Sequence, residues 1–312
     1  MISEEMMRFF KECREELPEW LPKEYAGAAF ELREVPKNNS MRASIVVTLN
    51  NERVSPNVYI DQIFDRYMDD GDLNKALSEL SDTIVYGFTN KPEVDVDNAF
   101  YTDNIIPCLI NTKTNRHILD NAPHIEYFDL SLYFRGVIQF DSENLGTFII
   151  SNEMAKRRGL DVNGLREIAD KYVKEDNNYI VTGIMEILTG EPADDEIMYV
   201  VTNRSKLFGA AGILDNDVLE DIRTNKFNTD KLIIIPSSVH ECIVMDGNCM
   251  DAKSIQEMVT EVNATQVAPD EVLSASVYSY TKEGGLDIEV EKELSPKEIA
   301  NDKKIERPVM GM

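Results

Sequence analysis

Residues 232–245 read Leu-Ile-Ile-Ile-Pro-Ser-Ser-Val-His-Glu-Cys-Ile-Val-Met, two apolar strand-like runs meeting at a polar corner. Runs this short, rich in β-branched residues and bounded by a polar break, predict neighbouring buried strands, so the chain must build a sheet around them. The corner carries two hydroxyls, an imidazole and a carboxylate (Ser237, Ser238, His240, Glu241), which makes it the first place to look for chemistry. A corner between strands also uses such side chains for its own hydrogen bonds.

The rest of the chain supplies the partners of that sheet. An amphipathic helix opens at Ser3 (Met6, Met7, Phe9, Phe10, Cys13, Leu17) and is expected to stop before Pro18, because proline cannot continue the backbone ladder. Alternation over 30–35 and 41–49 around a turn at 36–40 predicts a hairpin. Helical spacing from Tyr59 to Tyr67, broken by Asp69-Asp70-Gly71 and resumed over 73–85, predicts a helix pair. Strands are expected at 105–110, 130–140, 146–150, 197–202 and 272–280. Helices are expected after Asp161, after Asp215 and over 252–262. This order predicts an α+β fold: mostly antiparallel sheets with helices packed on one side, in two modest subdomains (1–145 and 146–285). Residues 286–312, charged and without aromatics, read as a mobile tail.

Charge narrows the partners. The net charge is −25, from 57 acidic and 32 basic residues; 26 and 14 of these lie up to Ile150, and 31 and 18 after it, so the acidity is uniform. Phosphate-backbone binding needs a concentrated basic face, and none is visible, so neither nucleic acid nor an anionic membrane is expected as a partner. An acidic decoy for a basic nucleic-acid-binding protein would share this charge and stands as an alternative. No run approaches the ~20 apolar residues of a membrane span, and the N-terminus lacks the apolar core of a secretion signal, so a cytoplasmic setting is expected. Cys13, Cys108, Cys242 and Cys249 show no C-x-x-C pairing and read as free thiols.

Catalytic patterns were weighed against their required spacings. His240-Glu241 lacks the second histidine of a zinc-protease helix, since Val244 stands there, and His124 with Glu126 lacks the Pro-Cys-x-x-Cys of a deaminase. Acidic runs at 69–72 and 194–196 lack EF-hand spacing, and Gly209-Ala210-Ala211-Gly212 is no phosphate loop but suits close packing on a sheet. No metal or other cofactor is expected. A hydrolase using Ser237 or Ser238 with His240 and Glu241 would need the three roles within hydrogen-bond reach, and no G-x-S-x-G elbow supplies the turn. A serine hydrolase using Ser237 or Ser238 with His240 stands as the alternative, and the leading reading is a non-enzymatic binding or interaction module with a protein or small-molecule partner. Its candidate surface joins the corner to the loop at 263–265. Candidate binding residues are Ser237, Ser238, His240, Glu241, Asn203, Asn263, Asn111, Asn115 and His124, the asparagines being equally suited to caps and turns.

Several strings together resemble a known family: Ile110-Asn111 with Asn115, Pro123-His124 with Asp129-Leu130-Ser131, residues 199–203, 209–211 and 235–241, and Val262-Asn263-Ala264-Thr265-Gln266-Val267-Ala268-Pro269. They resemble a domain-of-unknown-function family of anaerobic Gram-positive bacteria, over nearly the whole chain to about Tyr280. The resemblance implies an architecture and a cytoplasmic setting, not a reaction. The second half also resembles, more weakly, another uncharacterised bacterial family that lacks the Ser-Ser-x-His-Glu string.

Overall fold

The computed structural model describes residues 2–25, 27–49, 55–90, 101–139, 145–299 and 310–311. It has the α+β class, with antiparallel sheets and several helices.

The first unit begins with α1 (Glu4–Trp20), whose N-terminus is closed by Ser3 Oγ accepting from the Met6 amide at 3.1 Å. The helix does not stop before Pro18 but runs through it. Proline removes one backbone bond in the last turn, while Leu17 and Leu21 on either side are buried and the Leu21 amide still reaches Leu17 O. Burying two leucines, each worth about 1.5–3 kcal/mol, offsets the roughly 3 kcal/mol that an internal proline costs. The hairpin β1 (Ala29–Lys37) and β2 (Ser40–Thr48) pairs in unbroken register around Asn38-Asn39, with Asn39 at φ 61°. Strand β3 (Asn57–Tyr59) follows, and β14 (Met310–Gly311) returns to pair with it. The helices α2 (Asp61–Asp70) and α3 (Leu73–Thr89) are separated by Gly71 in the left-handed region and by Asp72, whose carboxylate caps α3. Phe9, Phe10, Cys13 and Leu17 pack with Ile45, Val58, Leu77 and Leu80 into one core.

The second unit holds two sheets. In one, β6 (Leu130–Gln139) is central: β4 (Ile105–Asn111) pairs along one side, while β5 (His124–Tyr127) and β7 (Leu145–Ile149) share the other. The short α4 (Arg116–Leu119) links β4 to β5, a strand the sequence reading passed over. Next come α5 (Asn152–Arg158) and α6 (Val162–Glu175), the latter capped by Asp161 as expected. The other sheet has the order β13-β12-β10-β11-β9-β8, comprising β8 (Tyr179–Gly183), β9 (Tyr199–Asn203), β10 (Lys231–Ile235), β11 (Cys242–Asp246), β12 (Val277–Thr281) and β13 (Gly285–Val290). The helix α7 (Ile184–Thr189) sits between β8 and β9. A 3-10 turn (Gly209–Leu214) and α8 (Asn216–Asp221), capped by Asp215, lie between β9 and β10. The pair that opened the sequence reading is β10 and β11, antiparallel and in the sheet's interior.

One core joins both sheets of this unit, from Ile105 and Phe134 through Val201 and Leu232 to Tyr278. On the opposite face of the six-stranded sheet, Ile255 and Val259 of α9 (Ala252–Thr265) cover Ile233, Met245 and Val277. The apolar cores therefore part between Phe88 and Ile105, whereas the expected boundary at 145/146 falls inside β7. Part of the stretch expected as a tail takes regular structure. Leu286, Ile288 and Val290 alternate along an edge strand, and α10 (Pro296–Ile299) brings Glu298 to 0% exposure beside α9. Residues 300–309 and 312 of that expected tail lie outside the described residues.

Candidate functional site

The polar residues picked out by the sequence fall into two clusters, and residues 266–276, which connect α9 to β12, touch both. At the corner, every hydroxyl serves the backbone. Ser237 Oγ donates to Glu241 O at 2.9 Å, the Ser238 amide donates to the same carbonyl at 3.2 Å, and Ser238 Oγ accepts from the His240 amide at 3.1 Å. Across the sheet, Thr202 Oγ1 donates to His240 O at 2.8 Å.

The imidazole contacts groups from other segments. His240 Nδ1 accepts from the Phe208 amide at 3.1 Å, which fixes the ring proton on Nε2, and Nε2 lies 3.7 Å from Glu271 Oε1. The Phe208 ring sits 5.3 Å from the imidazole and 4.7 Å from the Arg135 guanidinium. Phe208 itself holds φ 55°, a left-handed conformation costly for a bulky residue, and the imidazole acceptor is one of the bonds that keeps it there. Gly209 is obligatory beside it, because a Cβ would collide with the Asn203 amide, Thr202 Oγ1 and His240 O. Asn203 is buried and closes its own loop, Nδ2 donating to Leu207 O at 2.8 Å and Oδ1 accepting from the Leu207 amide and Ser205 Oγ.

The second cluster centres on Asp129, which the site reading missed. Asp129 and Phe128 form the two-residue turn between β5 and β6, with Phe128 at φ 56°. The carboxylate accepts from Ser274 Oγ at 2.6 Å, Ser276 Oγ at 3.3 Å, Asn111 Nδ2 at 3.3 Å and, in a short contact, Tyr278 Oη. Its donors 274, 276 and 278 are alternate residues of one extended stretch, so their side chains share a face. Burial, then the Asp129 charge, raises the Tyr278 phenol well above its ordinary 10.0, so it stays a donor.

Asn111 and Asn115 continue this cluster into the first unit. Asn115 Oδ1 accepts from the Asn39 amide at 2.7 Å, and its Nδ2 donates to Asn39 Oδ1 at 3.0 Å and Asn111 O at 2.9 Å. The Asn38 and Asn39 side-chain amides donate to Pro269, Asp270 and Val272 carbonyls, seating the hairpin tip on the connector. His117 Nε2 donates to Lys37 O at 2.9 Å nearby.

The predicted surface joining the corner to residues 263–265 is not what these bonds build. Asn263 is buried in α9, with Nδ2 donating to Ser274 O at 2.9 Å and to Glu298 Oε1 at 3.5 Å, so it belongs with the Asp129 cluster. Thr265 Oγ1 donates back to Glu261 O. The link to the corner is instead Glu271, whose carbonyl accepts from the Val239 amide at 2.9 Å. His124 keeps to its own turn, Nδ1 donating to Ala122 O at 2.9 Å.

The alternation Ser274-x-Ser276-x-Tyr278 was a readable signal of one polar face; its target, Asp129, lies 145 residues away from Ser274 and was not. Among the described residues no group of three or more His, Cys, Asp and Glu could hold a metal, and no helix is long and apolar enough to cross a membrane. The cysteines are free. Cys13, Cys108 and Cys242 are buried, and burial pushes the Cys13 thiol up to about 12, while Cys249 is exposed. Two shallow hollows lie elsewhere: about 470 Å³ beside Lys156 and Asp161, and about 210 Å³ beside Arg166 and Asp215. Comparison with curated proteins and with solved structures finds no match. A family profile does match, over residues 6–282, and the chain belongs to that family, DUF5688, a family of unknown function.

Proposed function

We propose that this chain is a non-enzymatic interaction module, working in the cytoplasm of the bacterial setting that its resemblance implies. The observation that carries this reading is the direction of the bonds at the corner. Ser237 gives its proton to Glu241 O, and Ser238 Oγ is engaged by the His240 amide. The imidazole spends Nδ1 on the Phe208 amide and turns Nε2 to Glu271. A serine nucleophile needs its proton aimed at an imidazole nitrogen within about 3 Å. The Asp129 cluster likewise uses its groups on one another, which suits holding a scaffold in one shape.

The test is direct. Full-length protein is treated with a fluorophosphonate, which labels activated serines, and digested for mass spectrometry. No adduct is expected at Ser237 or Ser238. An adduct at either that disappears in His240→Ala, with the fold intact by circular dichroism, overturns the reading in favour of a hydrolase.

A further inference from the structure

The interaction surface follows from a helix that carries no buried residue. None of the six residues of α7 is buried, and a single free helix of that length does not persist in water. It is held from its ends instead. The Ile184 amide donates to Met198 O at 2.9 Å and the Met185 amide to Glu196 Oε1 at 3.1 Å. Gly183 leaves the room for that carboxylate, where a Cβ would collide with it. At the other end Gly190, at φ 82°, returns its amide to Glu186 O, and Thr189 Oγ1 donates to Met185 O at 2.8 Å.

What this fixed turn presents is apolar. Met185, Ile187 and Leu188 are 39%, 53% and 72% exposed, and Ile197, on the segment bonded to the helix start, is 57% exposed. Contiguous exposed apolar side chains of this kind mark interaction sites. The patch stands at the end of β8, the edge strand of the six-stranded sheet. Along the chain on either side of it the charge has one sign: between Lys174 and Arg204 there are seven acidic residues and no basic one, the cation of Lys226 lying over the Tyr199 ring next to Gly183.

We propose that α7 with Ile197 is the docking surface for a basic amphipathic segment of another protein, an apolar stripe flanked by Lys or Arg. This inference rests on the interaction-module reading and gives it a surface and a partner class. The apolar side chains supply the contact, and the surrounding carboxylates select a cationic flank and speed encounter. A second copy of this chain is the wrong occupant, because pairing two such patches would set like charges face to face.

The experiment titrates full-length protein with a fluorescent helical peptide of Leu and Lys patterned into one apolar and one basic face. A scrambled peptide of the same composition and an acidic amphipathic peptide serve as comparators. Tighter binding of the patterned basic peptide is expected, weakened roughly tenfold or more, equivalent to ~1.4 kcal/mol, by Leu188→Asp and by Ile187→Asp. Met258→Asp, an exposed apolar site on α9, is expected to leave it unchanged. Should an aspartate variant fail to fold, Leu188→Ser takes its place. Equal binding of patterned and scrambled peptides, or equal binding by Leu188→Asp, overturns the proposal, as does self-association at the patch seen by sedimentation. Fluorophosphonate labelling of Ser237 would strike the parent reading alone, so the two failures are distinguishable.

Discussion

The connector at 266–276 and the helix α7 are opposites in the use of side chains. The connector and the elements it touches bury hydroxyls, amides and a carboxylate that bond to one another, although Asn38 Oδ1 finds no partner among the described residues; α7 leaves methionine, isoleucine and leucine exposed. Polar groups cost most when buried without partners and apolar groups cost most when exposed, so each region departs from the ordinary rule for a reason. In the first, the mutual bonds of the Asp129 and Asn115 groups make the polar interior a device for fixing the positions of distant segments. In the second, end caps retain a turn none of whose side chains is fully buried. The conspicuous Ser-Ser-x-His-Glu string thus bonds to its own backbone, while the plainer Ile-Met-Glu-Ile-Leu leaves apolar side chains exposed.

That contrast breaks most sharply at Asp129. Asp129→Ala removes the acceptor of the Ser274 and Tyr278 hydroxyls, while Ser276 Oγ keeps Lys292 O, and a loss of roughly 3–5 kcal/mol is expected in urea unfolding. A loss under about 1 kcal/mol would show that the cluster does not hold the connector. Tyr278→Phe should cost about 2 kcal/mol and also change the alkaline limit. Because the folded phenol titrates well above 10.0 and the unfolded one near it, its contribution is complete below pH 10.0 and is lost as pH rises beyond. The wild type should therefore lose stability above that pH more steeply than Tyr278→Phe, as read by melting temperature against pH. Buried Tyr133, raised to about 12, adds the same slope to both proteins.

Smaller effects sharpen the comparison. His240→Ala removes the acceptor of the Phe208 amide at its left-handed turn, and about 1–2 kcal/mol should be lost. Leu188→Asp should change stability by less than about 0.5 kcal/mol, since the side chain has little burial to lose. A large loss there would mean that α7 is packed rather than presented.

Much of the fold was legible because its signals are local. The 29–48 hairpin is announced by alternation around Asn38-Asn39, α6 by Asp161 and its apolar stripe, and the β10–β11 pair by two isolated apolar runs. Strand β5 was not, because four residues are too few to show a period and its turn is built from Phe128-Asp129 rather than a Gly-containing pair. Pro18 misled because the rule against proline ignores leucines buried on both sides. The stretch 286–299 looked like a tail because its charge hides the alternation of Leu286, Ile288 and Val290 and the buried Glu298. At the candidate site, residue types were legible but not the directions of their bonds. Those are set by Glu271 and Phe208, at 31 and 32 positions from His240, and by an Asp129 whose hydroxyl donors lie 145 or more away.

The seating of Asn39 on Val272 spans 233 residues, and it has a consequence for the order of assembly. During synthesis the core of α1, β1, β2 and α3 can condense early, yet its hairpin tip has no socket until the ribosome has delivered residues 269–272. Until then the nascent chain carries a finished front end with an open seam, which only its last quarter can close.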